Sequence, residues 1–248
     1  MHQNTNHAIS NTISSPVAPI AHILTPFSQK FSIPRQGLSL SPAKGTIVFA
    51  EEFDVVQATD GIEDFSHLWL LFLFHKNIGQ GFKAKVRPPR LGGNKKIGVF
   101  ASRSSFRPNG IGMSLVKNLG MRGKRLIVEG VDLLNETPIL DIKPYLPYAD
   151  EAANAFAGYA QDKPSSALAV EFTAVASQQL RTFEAQYSDL PSLIKAVLAQ
   201  DPRPSYKSTQ QDSKIYFIRL YEFDIKWHVN DNTAHILEIY SFNKPSVF

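Results

Sequence analysis

The 248-residue chain has no cysteine, which excludes disulfides, thiolate zinc sites, iron–sulfur clusters and a cysteine nucleophile. It has no long hydrophobic run: the longest covers residues 68–74, against the roughly 20 residues a spanning helix needs. Residues 1–20 lack the basic and apolar regions of a signal peptide, and their Asn, Ser, Thr and His content predicts a disordered tail. These absences suit a cytoplasmic protein with no need of covalent staples and no membrane contact. No Gly-x-Ser-x-Gly elbow occurs, no Gly-x-Gly-x-x-Gly follows a strand pattern, and no Walker-type loop is present, so a hydrolase triad and a dinucleotide fold have little support. His67 and His75 flank the most apolar stretch without a second histidine at metal-ligand spacing, and no metal is expected.

Acidic residues are absent from one long window. Between Asp64 and Glu129 lie 64 residues without an Asp or Glu, holding 13 of the 26 Lys and Arg residues. An even spread of the 22 acids would put roughly six in that window. A solvated charged face normally mixes both signs. One-sided clustering is the footprint of a polyanion, and nucleic acid is the partner it points to.

Short apolar runs punctuated by Gly and Pro dominate the first part of the chain. Residues 46–49, 68–74, 97–100, 126–131 and 139–142 read as strands, and 54–59 as a short helix. Strands do not alternate with 12-residue helices, so an antiparallel, barrel-like sheet is expected over 21–150 rather than a doubly wound fold. Residues 151–168, rich in Ala, Ser, Asp and Pro, read as a linker. Beyond it, 169–248 predicts a small α+β domain. A strand over 169–175 precedes helices over 177–187 and 191–200, and strands follow over 215–220, 225–229 and 236–240. Asn230-Asp231-Asn232 is a plausible hairpin turn. The fold class is α+β and mostly β.

Three stretches carry chemical potential. In Ser102-Arg103-Ser104-Ser105-Phe106-Arg107-Pro108-Asn109-Gly110-Ile111-Gly112, hydroxyls, two Arg and a Pro-Asn-Gly turn suit an anionic or carboxylate-bearing ligand. A tight solvated turn explains the Pro-Asn-Gly but not the flanking Arg. In Arg87-Pro88-Pro89-Arg90-Leu91-Gly92-Gly93-Asn94, a stiff basic loop can hold Arg groups against phosphates, although a plain surface loop looks the same. Asp141 and Lys143 near Tyr145 read first as an ordinary ion pair beside an aromatic. In the tail, Asp201-Pro202-Arg203-Pro204-Ser205-Tyr206 joins an Arg to an aromatic, a pair able to hold a phosphate and stack a base, and reads equally as a capped helix end.

Taken together these stretches resemble one family. Pro34-Arg35-Gln36, Phe65-Ser66-His67-Leu68-Trp69, Val86 through Asn94, Gly98-Val99-Phe100-Ala101-Ser102-Arg103-Ser104, Phe106-Arg107-Pro108-Asn109, Asp141-Ile142-Lys143-Pro144-Tyr145 and Asp201-Pro202-Arg203-Pro204 occur in the order of the TrmO-like tRNA methyltransferases. The resemblance runs from about residue 21 to the end. It implies a β-barrel-like, non-Rossmann domain that binds S-adenosylmethionine and methylates N6 of threonylcarbamoyladenosine at position 37 of threonine tRNA. It also implies a homodimer with the cofactor near the interface. By position, the implied cofactor contacts are Pro34, Arg35, Gln36, His75, Lys76, Arg103, Leu115, Asn135, Glu136, Thr137 and Pro138. The family's Asp-Gly-Thr-Pro is Asn135-Glu136-Thr137-Pro138 here, and Gly110 replaces a common Pro, which should loosen that loop.

If the resemblance holds, Arg87, Arg90, Arg107, Asn109, Lys143 and Arg203 are the expected contacts to the anticodon loop and to the substrate's carboxylate. Asp141 is the expected base and Tyr145 its polarising neighbour. The competing expectations are a non-enzymatic RNA-binding module of the same fold, and methylation of a different substrate.

Overall fold

The computed structural model describes residues 17–34, 37–162, 168–203 and 214–242. Arg35 and Gln36, most of the expected tail (1–16) and residues 163–167 of the expected linker lie outside the described residues.

The first part of the chain closes into a barrel. Strands β1 (Ala21–Leu24), β2 (Lys44–Phe49) and β3 (His67–Leu73) are followed by the two-residue strands β4 (Lys85–Val86) and β5 (Ile97–Gly98), which pair only with each other. Strands β6 (Ile111–Arg122), β7 (Arg125–Glu129) and β8 (Thr137–Pro144) complete the set. The barrel order is β1-β2-β7-β6-β3-β8, with β8 returning to β1 and every neighbouring pair antiparallel. Period-two alternation decides which side chains fill it. On β3, Leu68, Leu70 and Phe72 point inward and are buried, whereas His67, Trp69, Leu71 and Leu73 face out. Ile23, Ile47, Val116, Leu126, Val128 and Ile139 complete the interior. Each fully buried aliphatic contributes about 1.5–3 kcal/mol relative to exposure.

Two expectations need correction here. The strand expected over 97–100 stops at Gly98, and a 3₁₀ turn (Val99–Ala101) takes over. Local hydrogen bonds win over β propensity: Ser102 Oγ donates to the Val99 carbonyl at 2.8 Å, and Arg107 Nη1 donates to the Ser102 carbonyl at 2.8 Å. The longest strand, β6, was not foreseen. Gly112, Lys117, Asn118 and Gly120 break its apolar pattern, and a bulge near Asn118 lets the Gly120 amide donate to Asn118 Oδ1 at 2.9 Å.

Helix α1 (Gly37–Leu40) and helix α2 (Val55–Ala58) are single turns. Asp54 caps α2 by accepting from the Gln57 amide at 3.3 Å. Helix α3 (Pro147–Asp150) ends the expected barrel segment, immediately before the residues expected to be a linker. Both stretches are tied back to the barrel: Trp69 Nε1 donates to Asp150 Oδ2 of α3 at 3.1 Å, and Tyr159 Oη, within 151–168, donates to the Ala101 carbonyl at 3.4 Å.

The C-terminal part has the expected α+β composition. Strand β9 (Ala169–Phe172) leads into α4 (Ala174–Phe183), capped by Thr173, and then α5 (Leu190–Ala199), with Pro191 in its first turn. Helix α5 buries Leu190, Leu193, Ile194, Val197 and Leu198, the spacing of one helical face. Strands β10 (Tyr216–Leu220), β11 (Phe223–Asn230) and β12 (Thr233–Ser241) form a sheet of order β10-β11-β12-β9, with the last pair parallel. Asp231 and Asn232 both have positive φ (45° and 61°), the geometry of a primed hairpin turn. The Tyr221 amide donates to the Pro26 carbonyl at 2.8 Å, and the buried residues of barrel and C-terminal sheet form one continuous cluster. Among the described residues no helix is long and apolar enough to cross a membrane.

Candidate functional site

One end of the barrel opens into a cavity of about 410 Å³, within the range of small-molecule sites. Phe72, Leu73 and Phe74 reach it from the end of β3, and Thr137 from the start of β8. Three loops complete the wall, carrying Lys30 and Ile33, His75 to Asn77, and Arg103 with Ser105, while Asp132 to Leu134 lead into β8. The rim is cross-linked. Lys30 Nζ donates to Asn77 Oδ1 at 2.7 Å, and Asn77 Nδ2 donates to Ser105 Oγ at 3.0 Å. Phe72 and Phe74 meet edge to face at 5.1 Å. A Cβ on Gly112 would come within 2.4 Å of Phe72 and 2.9 Å of Phe74, so glycine leaves the space those two rings fill.

Among the described residues Asp132 is the one carboxylate of the cavity wall. Ser114 Oγ donates to its Oδ1 at 2.5 Å and the Gly37 amide to its Oδ2 at 3.2 Å. Burial pushes its pKa up, and the bonds from Ser114 and Gly37 together with the charge of Arg103 pull the other way. His75 is shifted down, first by burial and then by the charge of Lys76, which favours a neutral ring near pH 7.

Of the expected cofactor contacts, His75, Lys76, Arg103 and Thr137 line the cavity. Pro34 is buried beside Ile33, a lining residue. Asn135 and Glu136 form the turn before Thr137, and Pro138 follows it on β8. The turn is held mostly by backbone: the Asn135 amide donates to the Phe27 carbonyl at 2.7 Å and the Glu136 amide to the Ile23 carbonyl at 2.8 Å. Asn135 Oδ1 accepts from the Thr25 amide at 2.9 Å, a bond an aspartate oxygen would make equally well. Glu136 sits at φ 62°, where glycine is at ease and another residue is strained by roughly 1 kcal/mol. Leu115 does not line the cavity; it faces outward on β6, opposite Trp69. Gly110 has φ 61°, which a proline ring locked near −65° cannot adopt, so the exchange alters the turn and does more than loosen it.

Asp141 and Tyr145 lie on the outer side. Asp141 Oδ2 pairs with Lys143 Nζ at 2.9 Å, and Oδ1 accepts from the Ile142 amide at 2.9 Å. Its cross-strand partner is Leu71, two residues from the cavity residue Leu73, or about 7 Å along the strand. The Tyr145 ring stands edge-on to Trp69 at 5.9 Å.

The expected RNA contacts divide. Arg87, Arg90 and Asn109 are exposed, and Arg90 Nη1 reaches the Ala160 carbonyl at 3.5 Å. Arg107 is half-buried and braces the 99–102 turn. Lys143 is exposed beside Asp141. Arg203 requires a correction: it is 4% exposed and forms a two-bond ion pair with Asp201, Nε to Oδ1 and Nη2 to Oδ2, both at 2.7 Å. A buried guanidinium committed to a neighbouring carboxylate is not presented to RNA. Sequence reasoning missed Lys30, Asn77 and Asp132, and had Ser105 only as one hydroxyl of the 102–112 stretch. The one available signal for Asp132 was a lone carboxylate inside Val131-Asp132-Leu133-Leu134.

Comparison with known proteins decides the family. The profile described as "tRNA-methyltransferase O N-terminal domain" matches residues 22–151, and that described as "TrmO C-terminal domain" matches residues 165–242. The chain belongs to the TrmO family. Over 216 residues it is 44% identical to the Escherichia coli protein named tRNA (adenine(37)-N6)-methyltransferase, covering 86% of this chain and 92% of that one. Over 213 residues it is 46% identical to a Pseudomonas aeruginosa protein named as a putative S-adenosylmethionine-dependent methyltransferase, RcsF, with 86% and 91% covered. A crystal structure of TrmO from Pseudomonas aeruginosa superposes with a TM-score of 0.78 at 37% identity, over 92% of this chain and 99% of that one. The TrmO barrel thus carries the cavity described above, and the second TrmO segment coincides with the C-terminal sheet and its two helices.

Proposed function

We propose that this TrmO protein transfers a methyl group from S-adenosylmethionine to N6 of adenosine 37 in tRNA, and that its substrate is threonylcarbamoyladenosine in threonine tRNA. The observation that carries the reading is the barrel-end cavity. It gathers His75 and Lys76 from one loop, Arg103 from another and Thr137 from the start of β8, in a chain 44% identical to a relative named for that reaction.

The cavity fits the cofactor chemically. Phe72, Phe74, Ile33 and Leu133 offer apolar surface to an adenine and a methionyl chain, Lys30, Lys76 and Arg103 suit a carboxylate, and Asp132 suits a cationic centre. Bound S-adenosylmethionine supplies an electrophilic methyl on sulfur. The protein's task is alignment and exclusion of water, because in-line displacement depends on geometry more than on a covalent intermediate. The neutral His75 ring can accept or donate a hydrogen bond without adding charge to an already basic rim.

The acceptor nitrogen must lose a proton during transfer. Asp141 is the proposed base, held by Lys143, and Tyr145 is the neighbour that polarises the substrate. Arg87, Arg90, Asn109 and Lys143 would contact anticodon-loop phosphates and the substrate carboxylate. We place the protein in the cytoplasm as a homodimer. Its barrel exposes Ile111, Met113 (55%) and Leu119 along the outer face of β6, apolar area that a second copy would cover.

Nucleoside mass spectrometry of threonine tRNA after incubation with protein and S-adenosylmethionine tests the reading. A gain of one methyl on threonylcarbamoyladenosine, absent from an unmodified transcript, is expected. Unchanged nucleosides with tRNA still bound would leave a binding module instead.

A further inference from the structure

Four aromatic rings outside the cavity have no role in the reaction described above. Phe156 is 90% exposed, Tyr148 88%, Phe100 73% and Tyr159 40%. Three of them fall within 12 residues of one segment, 148–159, whose composition otherwise reads as a linker. Single exposed apolar side chains are ordinary, but a group of rings on a short, tethered stretch is a surface.

The tethers set where this surface lies. Asp150 Oδ2 accepts both from Trp69 Nε1 at 3.1 Å and from the Leu146 amide at 2.8 Å. Arg90 Nη1 donates to the Ala160 carbonyl at 3.5 Å, and Tyr159 Oη donates to the Ala101 carbonyl at 3.4 Å. The segment is therefore fastened to the Arg90 loop and to the turn that carries Phe100. Both belong to the 64-residue window that contains no acidic residue.

We propose that residues 148–159 and Phe100 form a stacking platform for unpaired RNA bases, set against the basic loops that hold the phosphate backbone. The inference rests on RNA being the substrate, and goes beyond that reading by assigning the part of the RNA that this segment recognises. Charge selects the occupant: Arg90 reaches the Ala160 carbonyl at the end of the segment, and the Arg107 guanidinium lies 5.8 Å from the centre of the Phe100 ring, so cations that complement a polyanion stand at the platform. Splayed bases are the part of RNA that stacks on exposed aromatic faces, whereas a paired duplex keeps its bases internal.

The test uses the full chain and two probes, an anticodon stem–loop RNA and a blunt RNA duplex of equal length. Phe156→Leu and Tyr148→Leu should each weaken stem–loop binding about tenfold, leave duplex binding unchanged and leave the salt dependence of binding unaltered. Arg87→Ala should weaken both probes and reduce the salt slope by about one. Phe156→Tyr and Tyr148→Phe, which keep a ring, should bind as the parent does, which separates stacking from a change of fold. Equal stem–loop affinity in the Leu variants overturns the platform, as does equal loss on both probes. A shift in oligomeric state on size exclusion assigns the rings to a second copy and overturns it too. Loss of methyl transfer with stem–loop stacking intact would instead strike only the reaction.

Discussion

Ser114 on β6 and Asp132 ahead of β8 are joined by a 2.5 Å hydrogen bond from hydroxyl to carboxylate, at the wall of the barrel-end cavity. The other oxygen of Asp132 accepts from the Gly37 amide, immediately after the Pro34-Arg35-Gln36 stretch. One carboxylate thus links three chain segments with implied cofactor contacts. Ser114 precedes Leu115, Gly37 follows Gln36, and Asp132 leads into Asn135–Pro138.

Asp132→Ala removes the acceptor of both bonds and should destabilise the fold by about 1–3 kcal/mol while weakening S-adenosylmethionine binding. Asp132→Asn keeps one acceptor oxygen and should retain most of the stability. Because burial raises the carboxyl pKa above its ordinary 3.8, the folded state holds the proton more tightly than the unfolded one. The stability of the parent relative to Asp132→Asn should therefore fall as pH rises above about 4. Thermal melts at pH 4 and pH 7 measure this, and a difference independent of pH would refute the assignment.

His75 carries the opposite sign. Its pKa is held below the ordinary 6.5 by burial and by Lys76, so between those values the unfolded chain binds the proton more readily. Stability should rise with pH across that window and flatten above 6.5 as far as His75 is concerned. His75→Gln should remove that slope, read from urea midpoints at pH 5.5 and 7.5.

Gly112→Ala places a methyl group where Phe72 and Phe74 stand. The rings must move, at a cost of about 1–3 kcal/mol. Cofactor binding, followed by calorimetry, should weaken more than RNA binding does. Equal loss of both would place the effect outside the cavity.

Arg203→Ala leaves Asp201 as a buried, uncompensated carboxylate and should destabilise the protein by about 3–5 kcal/mol. At a temperature where the variant stays folded, its RNA affinity should match the parent. A selective loss of affinity without loss of stability would restore an RNA role.

Asp141→Asn should abolish methyl transfer by about a hundredfold or more in kcat if the carboxylate takes the proton. Cofactor binding should be preserved, since Asp141 lies outside the cavity wall. Near-normal turnover would remove Asp141 as the base.

Much of this architecture is written locally. The short apolar run 68–74 specifies a strand, Pro191 and the Leu/Ile/Val spacing specify α5, and Asp231-Asn232 specifies a hairpin. The acid-free window is a property of composition and needs no fold to be seen. Hydrogen bonding within eight residues also overrode local propensity at Val99–Ala101, where Ser102 and Arg107 draw the chain into a turn.

Tertiary structure alone decided which residues share a wall. The order β1-β2-β7-β6-β3-β8 joins strands distant in sequence, and only that closure brings Lys30, Asn77, Ser105 and Asp132 to one cavity. It also decided sides. Register places Leu115 and Asp141 on the outer face, and burial turns Arg203 from an apparent phosphate ligand into the partner of Asp201. Sequence by itself determined most of the strands, the two longer helices, the acid-free basic window and the resemblance to TrmO, because propensity, period and charge are carried by neighbours along the chain. Cavity membership and burial depend on contacts between residues far apart in the chain, such as the Gly37–Asp132 and Pro26–Tyr221 bonds, and no local pattern encodes them.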